Sequence, residues 1–207
     1  MLRLHGYAAS INVRKVLWAC AEIGLAYELI ERGGGGPPID EPSFQSLTPF
    51  GMVPVIEDGD VVIAESNAIL RYLATKHGCD SLWPTEPGAR ARIDMWMDWQ
   101  ASDFNNSWRY AFLATVRKRP GYDDEAAIQM SMRTFNQMVS VVERALQGTG
   151  GFVAGPCFTL ADIPIGLSIH RWRSIPLAHE HRPHVDAYYE RLSAMPGFNR
   201  FGVRGGP

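Results

Sequence analysis

A chain of 207 residues is long enough to bury a substantial core, either as one large domain or as two small ones sharing an interface. With 46% hydrophobic and 20% charged residues and no long low-complexity run, its composition is that of an ordinary globular protein and leaves no segment to disorder. The formal net charge of -2 excludes an extended phosphate-neutralising footprint, and with it a nucleic-acid partner; no apolar stretch reaches the roughly 20 residues that span a bilayer, and no signal-peptide pattern follows Met1, so no membrane is expected and the cytoplasm is the expected compartment.

Met1 to His5 alternates Leu2 and Leu4 with Arg3 and His5, the period of a short strand with one buried face. From Val13, the residues Val16, Leu17, Cys20 and Ala21 recur at spacings of three and four, which predicts a helix closed by Gly24. Tyr27 to Glu31 makes a second strand. Gly33 to Gly36, Pro37 and Pro38 then break regular structure; this run has neither the Lys-Ser/Thr of a phosphate loop nor the spaced glycines of a dinucleotide fingerprint, and reads as a flexible loop. Val53 to Glu57 and Val61 to Ala64 flank Asp58-Gly59, a hairpin signal. Ser66 begins a helix with Ile69, Tyr72 and Leu73 on one face, ending near His77 and Gly78. Residues 1–78 thus read β-α-β, loop, β-β-α, and a Pro- and Gly-containing stretch over 79–88 reads as a linker.

Residues 89–207 carry almost no strand signal. Ile93, Trp96, Met97, Phe104, Trp108 and Phe112 trace a long helix, weakly interrupted at Asn105 to Ser107, and Phe135, Met138, Val139, Val142 and Leu146 trace another. A third starts near Thr159, whose spacing to Asp162 matches a capping box, with Pro164 costing a backbone bond; a fourth covers Val185, Tyr188, Tyr189 and Leu192. Three widely spaced cysteines, Cys20, Cys79 and Cys157, allow neither a disulfide framework nor a Cys-x-x-Cys pair.

Several motifs, in order and at mutually consistent separations, carry a resemblance over the full chain. Tyr7-Ala8-Ala9-Ser10-Ile11-Asn12-Val13-Arg14-Lys15-Val16 resembles the first-turn motif of the serine-using glutathione transferases, plant phi-like and bacterial ones above all. Pro49-Phe50-Gly51 before Val53-Pro54 resembles the family's glutathione-holding turn with its cis proline; Glu65-Ser66-Asn67-Ala68-Ile69 resembles the next helix start, and Phe158-Thr159-Leu160-Ala161-Asp162 the capping motif of the helical part. The resemblance implies an α/β thioredoxin-like N-terminal domain that binds glutathione, followed by an all-α C-terminal helical domain, and a homodimer in which Trp96, Met97 and Trp99 supply apolar surface. It puts Ser10 at the catalytic position, with Asn12 as the second candidate, and Val53, Pro54, Glu65 and Ser66 around the peptide.

The chemistry fits those residues. Glutathione must be ionised to attack, and a thiol of pKa about 8.5 is only a few per cent thiolate at neutral pH. A hydroxyl at Ser10 would donate to the sulfur; its competing role is to cap the first helix. Ser66, at a helix start, offers amides to the γ-glutamyl carboxylate, and Glu65 can pair with the neighbouring ammonium. Many relatives carry Lys or Gln just before Val-Pro to reach the glycine carboxylate, whereas this chain has Met52; Arg14, Lys15 and Gln45 are the candidate replacements. Tyr7, Trp108, Phe112 and Trp172 are candidates for the second substrate's pocket, whose aromatic character suggests a small apolar electrophile; Arg109 and Arg173 would suit an anionic one. His179, His181 and His184 read as a polar connection, and no metal is expected. The alternatives are a noncatalytic glutathione-binding protein of the same fold, and a glutathione-dependent peroxidase or dehalogenase using the same thiolate.

Overall fold

The computed structural model of the chain describes residues 1–206. It opens with β1 (Leu2–Gly6), α1 (Ile11–Ile23) and β2 (Tyr27–Glu31), followed by the single-turn helix α2 (Pro42–Gln45), the hairpin strands β3 (Val55–Asp58) and β4 (Val61–Ala64), and α3 (Ser66–Lys76). β1 runs parallel to β2 and antiparallel to β3, giving the sheet order β2-β1-β3-β4. The parallel pair requires a crossover, which α1 provides. Gly24 closes α1 in the left-handed region at φ 73°. The strand period places His5 outward, but His5 is buried: its Nε2 lies 2.6 Å from Glu57 and its ring 6.0 Å from that of Phe44. The hairpin loop is Gly59-Asp60, one residue later than Asp58-Gly59, because Asp58 still pairs with Val61 and the positive φ of 63° falls on Gly59.

Helices follow: α4 (Pro87–Trp99), a π-helical turn (Gln100–Phe104), α5 (Asn105–Ser107), α6 (Arg109–Thr115), α7 (Glu125–Thr149), α8 (Asp162–Ser174), α9 (Pro183–Ser193), α10 (Pro196–Phe198) and a second π turn (Asn199–Val203). A thioredoxin-like sheet followed by an all-helical part is the architecture that the motifs imply. The break in the long helix is wider than Asn105 to Ser107, since it begins with the π turn and ends at Trp108. α8 starts at Asp162, so Pro164 falls in the first turn, where an amide has no intrahelical partner to lose. Only half of a capping box forms: the Asp162 carboxylate accepts from the Thr159 amide at 2.9 Å, while the Thr159 hydroxyl donates to Asp162 instead of capping the helix.

α8 is buried from Asp162 to Trp172, which explains its weak amphipathicity in sequence. α1 packs against it. Trp18 of α1 is fully buried between Phe158, at 5.6 Å, and Phe198, at 4.9 Å, and Gly166 of α8 leaves room for its indole. A polar chain crosses the same interface: Lys15 of α1 donates to Gln100 at 2.9 Å, and Gln100 donates to Ser168 of α8 at 2.9 Å. Asn67 of α3 donates to the Met97 carbonyl at 2.9 Å, and Arg71 pairs with Asp94 and Asp98 of α4. These contacts hold the β1–α1 connection against the helices.

Candidate active site

Between β1 and α1 the chain turns tightly, with the Ser10 amide donating to the Tyr7 carbonyl at 3.0 Å. Ser10 takes the N-cap position of α1 in extended conformation, and its carbonyl accepts from the Arg14 amide at 2.9 Å. Its hydroxyl, however, makes no cap hydrogen bond. The side chain lies instead on a cleft of about 730 Å³, walled by Tyr7, Ser10 and Met52 on one side and by Trp108, Phe112 and Arg171 on the other. Five of the candidates from sequence therefore meet here: Tyr7, Ser10, Trp108, Arg109 and Phe112.

Trp172 does not join them. A helix advances about 100° per residue, so the cleft-facing residue of α8 is its neighbour Arg171. Trp172 is buried, donates through its indole nitrogen to Asn136 at 2.8 Å, and borders a separate hollow with Arg173, which pairs with Asp186. Nothing in the sequence marks Arg171: one arginine in Ile-His-Arg-Trp-Arg gives no sign of which face it takes. Its guanidinium sits 4.3 Å over the ring of Trp108 and 3.9 Å over that of Phe112. Burial, with the charges of Arg14 and Arg117, lowers its pKa to about 9.

Asn12, Met52, Val53, Pro54, Glu65 and Ser66 meet in a second hollow, contiguous with the cleft through Met52. The Val53–Pro54 peptide is cis. Glu65 has φ 69°, a left-handed conformation that costs a non-glycine residue about 1 kcal/mol or more, and its carboxylate caps nothing. Ser66 opens the eleven-residue α3, so the amides of that first turn lack helical partners; its hydroxyl donates to Asn12 across 3.5 Å. Asn12 thus sides with Ser66 and Glu65, and does not line the cleft that Ser10 faces.

Met52 is exposed, and the residues that could stand in for a basic or amide side chain there are mostly engaged elsewhere. Arg14 is buried and donates to the carbonyls of Phe201, Gly202 and Gly206. Lys15 is tied to Gln100; burial first, and then Arg171, lower its amine to about 7 against the opposing pull of Glu65. Lys15 borders a further hollow of about 430 Å³ with Asn12, Glu65, Ser66, Arg71 and Asp98. Gln45 is exposed on α2 and lines neither hollow.

The three histidines go separate ways: His179 to the Trp172 carbonyl, His181 to Asp186 at 3.6 Å and His184 to Glu143 at 2.7 Å. Cys20 is buried in α1 with its thiol pushed up to about 12, and neither Cys79 nor Cys157 lines the cleft.

Residues 4–86 match the family of glutathione S-transferase N-terminal domains. Glutathione S-transferase GstB of Escherichia coli K12 is 32% identical over 202 residues, covering 97% of both chains, and glutathione S-transferase 3 of Zea mays is 32% identical over 96% of this chain and 92% of its own. Among solved structures, the theta class glutathione S-transferase of Xanthomonas axonopodis pv. citri, with glutathione bound, is similar with a TM-score of 0.91 and 36% identity, over 98% of this chain and 97% of that one. Motifs, sheet order and full-length similarity agree, and the chain belongs to the glutathione S-transferase family.

Proposed function

We infer that the protein is a glutathione transferase: it binds glutathione across the Val53–Ser66 hollow with the sulfur toward Ser10, ionises the thiol, and directs the thiolate at a small electrophile in the adjoining cleft. The observation that carries this reading is the Ser10 hydroxyl, which stands at the start of α1, makes no cap bond, and lies on the largest of the hollows bordered by the β1–α1 turn. Lowering a thiol from about 8.5 by two units takes roughly 2.7 kcal/mol. One hydroxyl donor to a charged acceptor supplies about 1.5 to 3 kcal/mol and the helix terminus about 0.3 to 1. In the step itself the sulfur forms a bond to the electrophilic carbon, the leaving group departs with the bonding pair, and the thiol proton passes to solvent.

Glu65 and Ser66 suit the two charges of the γ-glutamyl end, with Glu65 facing the ammonium and Ser66 with its helix amides facing the carboxylate. We also propose a homodimer. Met95 and Met130 are each 58% exposed, and a groove of about 560 Å³ runs between the π turn and α7, bordered by Trp99, Met130 and Met138. Of the residues expected at that surface, Met97 is fully buried and contributes to the core instead. Light scattering at micromolar concentration reads the assembly directly.

The test of the reaction is the thiolate absorbance of bound glutathione titrated against pH. The parent should give an apparent pKa below that of the free peptide. Ser10→Ala should raise it by one to two units, as about 1.5 to 3 kcal/mol demands, with turnover on an activated aryl halide falling in step. If the parent never ionises bound glutathione, the protein is a noncatalytic binder.

A further inference from the structure

We propose that the cleft selects an electrophile carrying a negative charge, a carboxylate or a group like it on a flat apolar body, and that Arg171 is its main specificity determinant. This rests on the transferase reading and says what that cleft accepts.

Arg171 is only 3% exposed, yet its Nε meets no acceptor among the described residues. The charges acting on it are Arg14 and Arg117, both repulsive, and the phenol of Tyr7; no carboxylate is among them. A buried cation is normally paired, because burial without a counter-charge is costly. The two aromatic faces under Arg171 offset part of that cost. They also fix its position: the two rings meet at 80°, and the guanidinium carbon sits in the corner between them, presenting a planar fork of N–H donors that can meet a carboxylate bidentately. Trp108 adds a second buried donor, its indole N–H, without an acceptor among the described residues.

The rim carries the same sign. Arg109, Arg117, Lys118 and Arg119 line the cleft, all four are exposed, and none enters an ion pair among the described residues. Among the described residues, no Asp or Glu lines it. A concave wall of one sign raises the local concentration of oppositely charged solutes, so the rim draws anions in and Arg171 holds them against the aromatic faces.

The experiment compares two chlorodinitroarenes that differ in charge, 1-chloro-2,4-dinitrobenzene and 4-chloro-3,5-dinitrobenzoate. In both the thiolate displaces chloride, and each kcat/KM is divided by the uncatalysed rate with free glutathione. The parent should favour the benzoate by about ten- to a hundredfold, the range of a hydrogen bond to a charged group. Arg171→Met should cut that ratio by about tenfold or more, and Arg117→Ala should lower it in a salt-dependent way. Arg117→Ala also decides the matter if Arg171→Met does not fold. Quenching of tryptophan fluorescence by 3,5-dinitrobenzoate against 1,3-dinitrobenzene gives a readout independent of turnover, with tighter binding of the benzoate expected. If both arenes react and the ratio is near one, or is indifferent to both substitutions, the charge selection is wrong and the transferase reading stands. If Arg171→Met raises the KM for glutathione and leaves the ratio alone, the cation serves the peptide's own carboxylate and the proposal fails. If neither arene reacts, the transferase reading fails, and the quenching alone upholds or overturns anion binding.

Discussion

Asp162 offers a test of how burial and hydrogen bonding balance in the helical part. Its carboxylate is fully buried and receives four hydrogen bonds, from the Val153 amide at 3.0 Å, the Tyr188 hydroxyl at 3.0 Å, the Thr159 amide at 2.9 Å and the Thr159 hydroxyl at 3.3 Å. Burial outweighs those donors and raises its pKa from 3.8 to about 6. Asp162→Ala removes all four bonds, at about 1 to 1.5 kcal/mol each, or roughly 5 kcal/mol together. At pH 7.5 the parent loses about 3 kcal/mol of that by ionising a group whose native pKa lies about two units above its unfolded one, leaving a net loss of about 2 kcal/mol for the variant. The sign follows from the raised pKa. Below about pH 4 the stabilisation is complete, and it is lost as pH rises through 6, so acidification should widen the gap between parent and variant. Between pH 7.5 and pH 5 the widening is about 1.4 kcal/mol. Chemical denaturation of both proteins at the two pH values, at one protein concentration, measures it. A gap that narrows on acidification would mean that the four donors outweigh burial and hold the native carboxylate ionised, and the reasoning would be refuted.

Gly197→Ala should destabilise the protein by about 2 kcal/mol or more in thermal or chemical denaturation: its Cβ would lie 2.5 Å from the Trp18 ring, which Phe158 and Phe198 keep from moving aside. Lys15 has a native pKa of about 7 against 10.5, so the unfolded chain binds more protons between those values and stability contributed by this group rises with pH. The parent should gain about 2 kcal/mol on Lys15→Met between pH 7.5 and pH 9.5; a pH-independent difference would show that the amine stays charged. Glu65→Gln should raise the KM for glutathione by about tenfold with kcat little changed, as expected for a contact made equally in ground and transition states, and a fall confined to kcat would put Glu65 in the chemistry instead.

Much of this architecture is legible from local signals. Gly24 and Gly78 announce the ends of α1 and α3, and the paired apolar runs after Val53 announce the hairpin, because left-handed caps and tight turns depend on one or two residues. Ser10, Glu65 and Ser66 are named by the resemblance of the motifs that contain them, and each of those motifs spans a strand-to-helix junction; position alone offers Ser10 and Ser66 only as helix caps. What escaped is set by packing. The π turn opens at Gln100, which is held in the Lys15–Gln100–Ser168 chain by partners 85 and 68 residues away, beyond the reach of any local pattern. The inward face of α8 is not legible in the sequence because the helix is buried all round and shows no apolar stripe, so the aromatic pattern offers Trp172 and leaves Arg171 unmarked. Arg14, a plausible surface cation in sequence, is consumed by carbonyls near the C-terminal end that no local pattern connects to it.

The π turn has an evolutionary consequence for the cleft. Such a turn amounts to one residue added to an α-helix and taken up within a single wider turn, so the residues downstream keep their facing. Asn105, Trp108, Arg109 and Phe112 all follow Gln100–Phe104, and all line the cleft. Deleting a single codon in that stretch would return the turn to α-helical pitch and leave this wall facing the cleft, whereas the same deletion within α4 would rotate everything downstream by about 100°. A lineage could therefore gain or lose a residue at the π turn while keeping the side chains that face its second substrate.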